Sequence, residues 1–266
     1  NAKHYYFLAK DNIPFHSIIW PSILMGYDEK LQLPYDIPAN EYLRIGGEQF
    51  SKSKGTGVWV PDIVKEFDVD AVRYYLSMNM PENKDSNWDW NDFVIKNNDE
   101  LVGTYGNFIH RVVSFTQNNY GGIPDPGAFD ETDNELLQEI KETVKQVQKS
   151  LTQCKFKQGL KQMMSLAKKG NVYFNEKEPW KDVKTDKTHC ATTLYVCLQL
   201  VKALSILFAS YLPFSSQKVW EMIGNTGSVH EATWSEAIEP VKIGFELVKP
   251  KPLFKKLVLE DIMVEE

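Results

Sequence analysis

The sequence is poor in cysteine, with three among 266 residues. Cys154, Cys190 and Cys197 are an odd number at no spacing typical of metal ligands, which argues against a disulfide scaffold and a cysteine-bound metal. We therefore expect reduced thiols, a cytoplasmic location and no metal site. Cys190 and Cys197 fall in an apolar run with helical periodicity, where we expect buried structural thiols.

The sequence also lacks a long apolar run, an internal repeat and an N-terminal secretory signal. We therefore expect no membrane span and no solenoid fold. Hydrophobic residues make up 42% and charged residues 25%, as in ordinary globular proteins. A chain of 266 residues is long enough for two structural units.

An excess of positive charge is missing as well, since the net charge is −6. Residues 141–187 nevertheless carry twelve lysines against five acidic residues. Contact with the phosphates of a nucleic acid needs a local basic face rather than a basic protein, and this segment predicts one. From charge alone, a set of solvated helix faces is an equally good interpretation.

Residues 44–57, RIGGEQFSKSKGTG, show no apolar periodicity and predict a surface loop. Its glycines let the backbone approach an anion closely, and its three hydroxyls and two lysines supply hydrogen-bond donors and positive charge. Such a loop suits a polyphosphate on which negative charge grows during a reaction. A solvated linker of the same composition is the alternative.

The beginning of the chain predicts a buried strand over residues 3–9, a turn over 10–14 and a helix over 15–24. In an open α/β sheet a carboxylate directly after a strand can accept hydrogen bonds from ribose hydroxyls, so Asp11 is a candidate nucleotide ligand. A helix N-cap is the alternative for Asp11.

Two further helices are predicted over 61–67 and 68–77, with Asp70 as a candidate cap of the second.

From residue 91 onward, apolar residues recur at three- and four-residue spacing, which predicts a helix bundle with a buried central helix over 191–212. Asn107 and Arg111 lie four residues apart on one helix face, where an amide and a guanidinium can bind a base edge. Trp180 lies at a predicted helix end, where an indole can stack on an unpaired base. An ordinary polar helix face and a core tryptophan are the alternatives.

Residues 49–53, QFSKS, resemble the KMSKS signature loop of class I aminoacyl-tRNA synthetases, with Gln49 in place of the first lysine. Residues 9–21, 106–111 and 178–180 are similar to segments of the methionyl-tRNA synthetases. The resemblance implies four sets of functional residues. They are Ser51, Lys52 and Ser53 for catalysis, Asp11 and Lys52 for ATP binding, Asn12, His16 and Trp20 for methionine binding, and Asn107, Arg111 and Trp180 for binding of the anticodon CAU.

The resemblance also implies a fold. We expect the C-terminal part of a Rossmann-type α/β catalytic domain, with the signature loop, over residues 1–90, followed by a mainly α-helical anticodon-binding bundle over 91–239. Residues 240–266 are expected to form a tail that returns toward the catalytic domain. The HIGH signature of the class and the cysteine pairs of the family's zinc-binding insertion are absent from the sequence. We therefore expect part of a longer enzyme, inactive by itself.

For the full enzyme the resemblance implies methionine–tRNA ligase activity, with methionine and ATP (as its Mg²⁺ complex) as substrates and tRNA(Met) as the partner. It places zinc only in the missing part and implies no contact with a membrane. Two alternatives remain open at this point. One is another class I synthetase, and the other is a non-catalytic RNA-binding protein derived from a synthetase.

Overall fold

The computed structural model describes residues 2–50 and 57–262. The chain forms two compact units, one made of Asn1–Ile63 and Asn79–Asp89 and the other of Val64–Met78 and Trp90–Glu266. Residues 64–78 therefore pack with the helical part of the chain, although in sequence they lie between two segments of the first unit.

The first unit is built on short strands. β1 (Leu8–Ala9) pairs in parallel with β2 (Ala39–Asn40). β3 (Leu43–Ile45) pairs antiparallel with β4 (Glu48–Gln49) and parallel with β5 (Ser86–Trp88). Between β1 and β2 lie a 3₁₀ helix (Lys10–Asn12), a π-helix (Phe15–Ile19) and α1 (Trp20–Tyr27).

The prediction of a buried strand over residues 3–9 was wrong in both length and burial. The strand is limited to the two half-buried residues of β1, with one further bridge from Tyr5 to Asp36. Backbone hydrogen bonds also join His4 and Tyr6 to residues 35–36, so the segment lies beside residues 35–40 without forming a longer strand.

A two-residue turn at Gly46 and Gly47 joins β3 to β4. Both glycines have positive φ, at 55° and 81°. Tight hairpins favour this conformation because its twist matches that of the paired strands. In sequence, the hairpin ends at Gln49, shortly before Ser51, the first serine of the predicted signature loop.

The second unit is almost entirely helical. α2 (Val60–Glu66) spans the point at which the chain leaves the first unit, and α3 (Val69–Met78) follows it. The remaining helices are α4 (Trp90–Ile95), a π-helix (Lys96–Gly106), α5 (Asn107–Tyr120), α6 (Glu131–Thr152), α7 (Phe156–Lys177), α8 (Pro179–Thr185), α9 (Lys187–Phe208), α10 (Pro213–Met222), two 3₁₀ helices (Val229–Glu231 and Trp234–Ile238) and α11 (Leu259–Ile262). The long amphipathic helices predicted from residue 91 onward are confirmed.

α9 is the core of the helical unit, since all of its residues from Cys190 to Phe208 are buried. The prediction of a buried central helix and of two buried structural thiols, Cys190 and Cys197, is confirmed. By length and composition α9 is apolar enough to cross a membrane, so the expectation that no apolar run reaches that length was wrong. Its apolar stretch is entirely buried among the other helices, as in the core of a globular bundle.

The capping role expected of Asp70 belongs to Asp68. Asp68 Oδ1 accepts hydrogen bonds from the backbone N–H groups of Asp70 at 2.9 Å and Ala71 at 3.3 Å, at the start of α3. Asp70 itself is completely buried, and its Oδ2 accepts from the backbone N–H of Ser215 at 2.6 Å, in the first turn of α10. Asp70 therefore caps a different helix, one that is distant in sequence.

Candidate functional site

The first candidate site lies at the carboxyl end of β1, where the chain enters the short 3₁₀ helix. Asp11 and Asn12 are exposed there, and the Asn12 amide donates to the Asp11 carboxylate at 3.3 Å. The Lys10 ammonium pairs with Glu41 and lies 3.2 Å from Asp85 Oδ1. Because Lys10 is bound to two carboxylates, the turn that carries Asp11 is attached to the strands beside it.

Asp85 is the centre of this ionic network. Its Oδ1 accepts from the backbone N–H of Tyr42 at 3.0 Å, and its Oδ2 lies 2.5 Å from Arg44 Nη2. The Tyr42 N–H, together with the Lys10 and Arg44 cations, lowers the pKa of the Asp85 carboxyl. Asp85 directly precedes β5 and Arg44 lies in β3, so one ionised side chain joins two strands to the Asp11 turn.

His16 and Trp20 meet through a third aromatic residue, Tyr6. The His16 ring lies 5.3 Å from the Tyr6 ring, and Trp20 Nε1 donates to the Tyr6 hydroxyl at 3.2 Å. His16 Nδ1 lies 3.1 Å from the Asn12 carbonyl oxygen, which links this cluster to the turn. Sequence reasoning gave Tyr6 no role, and its position two residues before β1 was the only signal available. Such a cluster can pack against a small apolar or thioether side chain.

The predicted catalytic residues of the signature loop cannot be placed. Ser51, Lys52 and Ser53 lie outside the described residues. The structure therefore neither supports nor opposes their roles, which stay predictions.

The second candidate site lies on the helical unit, where α5 faces the end of α7. Arg111 Nη2 donates to Asn175 Oδ1 at 2.8 Å. The Arg111 guanidinium carbon lies 4.8 Å from the centre of the Phe174 ring and 6.0 Å from that of Trp180. The two rings are 5.8 Å apart, inclined by 58°. The structure thus brings Arg111 and Trp180 into one cluster, with Phe174 between them.

The cluster is open to solvent on one side. Trp180 exposes 39% of its surface, and Arg111 is half-buried. Arg111 makes no ion pair with any residue in 2–50 or 57–262. A guanidinium has five N–H donors, so one amide partner leaves most of them available to a ligand. The surface therefore combines an uncompensated cation with an exposed aromatic ring.

Asn107 lies one turn before Arg111 on the same face of α5, with its side chain exposed. It is the first residue after the π-helical stretch, which ends at Gly106. A Cβ at position 106 would lie 2.9 Å from the Leu101 carbonyl oxygen, so the π-helical turn there requires glycine. The three anticodon residues predicted from sequence thus share one side of the unit, while Phe174 and Asn175 were given no role.

The end of α7 determines where Trp180 lies. Glu178 adopts a left-handed conformation, with φ 44° and ψ 52°, and ends the helix. Pro179 then begins α8, and its fixed φ suits a first helical position. Two helices therefore meet at a sharp turn that carries Trp180 at its outer side.

Comparison with known proteins identifies the family. Residues 1–113 match the family described as tRNA synthetases class I (M), and residues 123–264 match the anticodon binding domain of methionyl tRNA ligase. The second match alone covers more than half of the chain. The chain belongs to the methionyl-tRNA synthetase family. The predicted family and the predicted fold class, part of a class I catalytic domain followed by an anticodon-binding helical bundle, are confirmed.

Two relatives illustrate the extent of the family resemblance. The chain is 46% identical over 228 residues to the methionine–tRNA ligase of Roseiflexus sp. (strain RS-1), covering 86% of this chain and 38% of that protein. It is 42% identical over 267 residues to the methionine–tRNA ligase of Pyrococcus abyssi (strain GE5 / Orsay), covering 97% and 36%. The chain thus spans well under half the length of these relatives.

Solved structures of the family have the same fold. A Mycobacterium tuberculosis methionyl-tRNA synthetase in complex with methionyl-adenylate matches with a TM-score of 0.88 and 27% identity, over 94% of this chain and 49% of that one. The free-state enzyme from the same organism matches with a TM-score of 0.86 and 24% identity, over 96% and 50%.

Proposed function

We propose that the chain is the C-terminal part of a cytoplasmic methionine–tRNA ligase, and that its helical unit binds tRNA(Met) through the anticodon CAU. The observation that carries the proposal is the cluster of Arg111 and Trp180 on Phe174. An exposed indole offers a base-stacking surface, and a guanidinium that uses one donor on Asn175 offers its remaining donors to a base edge. Asn107, one turn away, adds an amide that can both donate and accept.

The proposal assigns the first unit part of the site that activates methionine. Asp11 would accept hydrogen bonds from the ribose of ATP, and Asn12, His16 and Trp20 would contact methionine. Lys52, with Ser51 and Ser53, would stabilise negative charge as pyrophosphate leaves ATP, which is bound with Mg²⁺. The attack of the methionine carboxylate on ATP then needs positioning and charge stabilisation rather than a protein nucleophile. In the complete protein, the methionyl group would next pass to the 3′ end of the tRNA.

The test is the binding of this chain to an anticodon stem-loop with CAU and to the same loop with one anticodon base changed, at one fixed salt concentration. We expect tight binding only to the CAU loop. Trp180→Ala should weaken it by about 1–3 kcal/mol, the usual contribution of one stacked base. Phe214→Ala is the matched control, because Phe214 is an aromatic residue of the same unit that exposes 60% of its surface. Equal affinity for both loops would contradict the proposal.

A further inference from the structure

Lys177 differs from the other lysines of the basic segment 141–187 because its side chain is only 9% exposed. Its Nζ lies 2.5 Å from Asp130 Oδ2 and 2.7 Å from Asp133 Oδ1. Asp133 is almost completely buried, and its Oδ1 also accepts from the Tyr173 hydroxyl at 2.7 Å. One cation is therefore held between two carboxylates, of which Asp133 is buried and Asp130 is half exposed.

Both carboxylates belong to the N-terminus of α6. Asp130 is its N-cap, and Asp130 and Asp133 form a reciprocal capping box in which each side chain accepts from the other's backbone N–H at 3.0 Å. The helix dipole favours carboxylates at this end. The Lys177 ammonium and the Asp133 backbone N–H lower the pKa of the Asp130 carboxyl below its usual range. Lys177 thereby attaches the last residue of α7 to a fixed point on α6.

The turn that carries Trp180 begins at the next residue. Glu178 is one of two non-glycine residues with positive φ in the described part of the chain, and such a conformation persists only where its surroundings impose it. Lys181 Nζ lies 2.6 Å from the Glu178 carboxylate, but this pair is solvent-exposed and contributes little. The ion pair of Lys177 with the buried Asp133 lies one residue before Glu178 and therefore constrains the α7 side of the turn directly.

The far side of the turn is fixed separately. His189 Nδ1 lies 2.7 Å from Asp182 Oδ2, and Cys190 Sγ donates to the Pro179 carbonyl at 3.4 Å, so α8 is attached to α9. With α8 held in this way, the direction of the end of α7 decides how the Trp180 ring meets Phe174.

We propose that Lys177, bound to Asp130 and Asp133, is a positioning residue that holds the Glu178 turn and so presents Trp180 for base stacking. The expected effect of Lys177 on RNA binding rests on the proposed anticodon binding. The effect of Lys177 on the orientation of the Trp180 ring can be measured without RNA. Lys177 itself contacts no base and is not a ligand of the anticodon.

The first test is ¹⁹F NMR of the chain labelled with 5-fluorotryptophan, with the Trp180 resonance assigned from Trp180→Phe. Lys177→Met should shift or broaden that resonance. Lys169→Met is the matched control, because Lys169 is also on α7 and pairs with Glu139 of α6 at 2.6 Å, but is half exposed. An unchanged Trp180 resonance in folded Lys177→Met would overturn the inference, whatever the RNA result.

The second test measures stem-loop affinity in a double-mutant cycle with Trp180→Ala. Lys177→Met should weaken CAU binding about tenfold, whereas in the Trp180→Ala background it should add no more than Lys169→Met does. Lys177→Arg should restore affinity, because it keeps the charge between the carboxylates. A full tenfold loss in both backgrounds would contradict positioning through Trp180.

A substitute variant and the behaviour of the unmodified chain cover the two ways in which these tests could fail. If Lys177→Met fails to fold, Asp130→Asn replaces it, since asparagine is a good N-cap and removes only one half-exposed carboxylate. It should perturb the Trp180 resonance and affinity in the same direction, and no change in either would overturn the inference. If the unmodified chain binds CAU and changed loops equally, the proposed function fails, and the resonance experiment still decides the positioning role.

Discussion

Replacement of Arg111 by lysine separates the effect of charge from that of donor geometry at the proposed anticodon cluster. In the structure the guanidinium plane is set by the 2.8 Å hydrogen bond to Asn175 and by its position 4.8 Å from the Phe174 ring. Lysine keeps the positive charge but replaces the planar set of donors with a flexible ammonium. We therefore expect Arg111→Lys to remove the proposed directed contact to a base while leaving the attraction to phosphates.

The size of the effect follows from that single contact. Loss of a two-bond arginine contact to a base edge costs about 1–3 kcal/mol of discrimination, or roughly 5- to 150-fold in the affinity ratio. We expect Arg111→Lys to lose this much affinity for the CAU stem-loop and little for a loop with a changed base. The slope of log affinity against log salt should stay at its original value, because no charge is lost.

The assay is a salt titration of binding to both loops, with Arg111→Met as the comparison. That variant should lose the same discrimination and should also reduce the salt slope by about one. The reasoning is refuted if Arg111→Lys weakens binding to both loops equally, since Arg111 would then act only as a charge. Unchanged affinity and discrimination in Arg111→Lys would refute it as well.

Three further predictions concern stability. Asp70→Ala leaves the buried Ser215 N–H without its acceptor and should lower the free energy of unfolding by about 1–3 kcal/mol, measured in urea, whereas Asp70→Asn, which still accepts, should cost less. Burial raises the pKa of the Asp70 carboxyl, so ionisation of Asp70 opposes folding. We therefore compare the free energy of unfolding of the unmodified chain with that of Asp70→Asn. The difference should favour the unmodified chain most at the lowest pH and should fall as pH rises through the pKa of Asp70 in the folded state. Gly170→Ala places a methyl group 2.4 Å from the fully buried Leu200 side chain and should destabilise by about 1–3 kcal/mol, and Gly26→Ala, in open space on α1, should not.

The helices were predictable because their burial is periodic. Apolar spacing alone indicated these helices. The long amphipathic helices have one apolar face that other helices must cover, whereas α9 is apolar on nearly all faces and must be buried completely. Periodicity could not locate the π-helical stretch Lys96–Gly106, because a local widening of the turn hardly changes the apolar pattern. It also could not assign Asp70, whose partner Ser215 is distant in sequence.

The candidate site was predictable only where a resemblance supplied it. From residue chemistry alone, Arg111 and Trp180 were better explained as a polar helix face and a core anchor. Nothing in the sequence places these two residues together, because their approach depends on how α5, α7 and α8 pack. Phe174, which contacts both, looks like any other apolar position of α7, so its place between them is visible only in the structure.

The two candidate sites differ in how completely this chain supports them. Arg111 lies on a helix whose inner face, including Val112 and Val113, is fully buried, so its side chain projects from a rigid base. α1, which carries Trp20, has no buried residue, and Tyr27 at its end exposes 85% of its surface. The rigid base of the Arg111 cluster lowers the entropic cost of binding a ligand, whereas an exposed helix such as α1 loses mobility when a ligand binds. By this argument the proposed anticodon cluster is preorganised within the chain, and the proposed methionine site needs α1 covered before its side chains reach a comparable order.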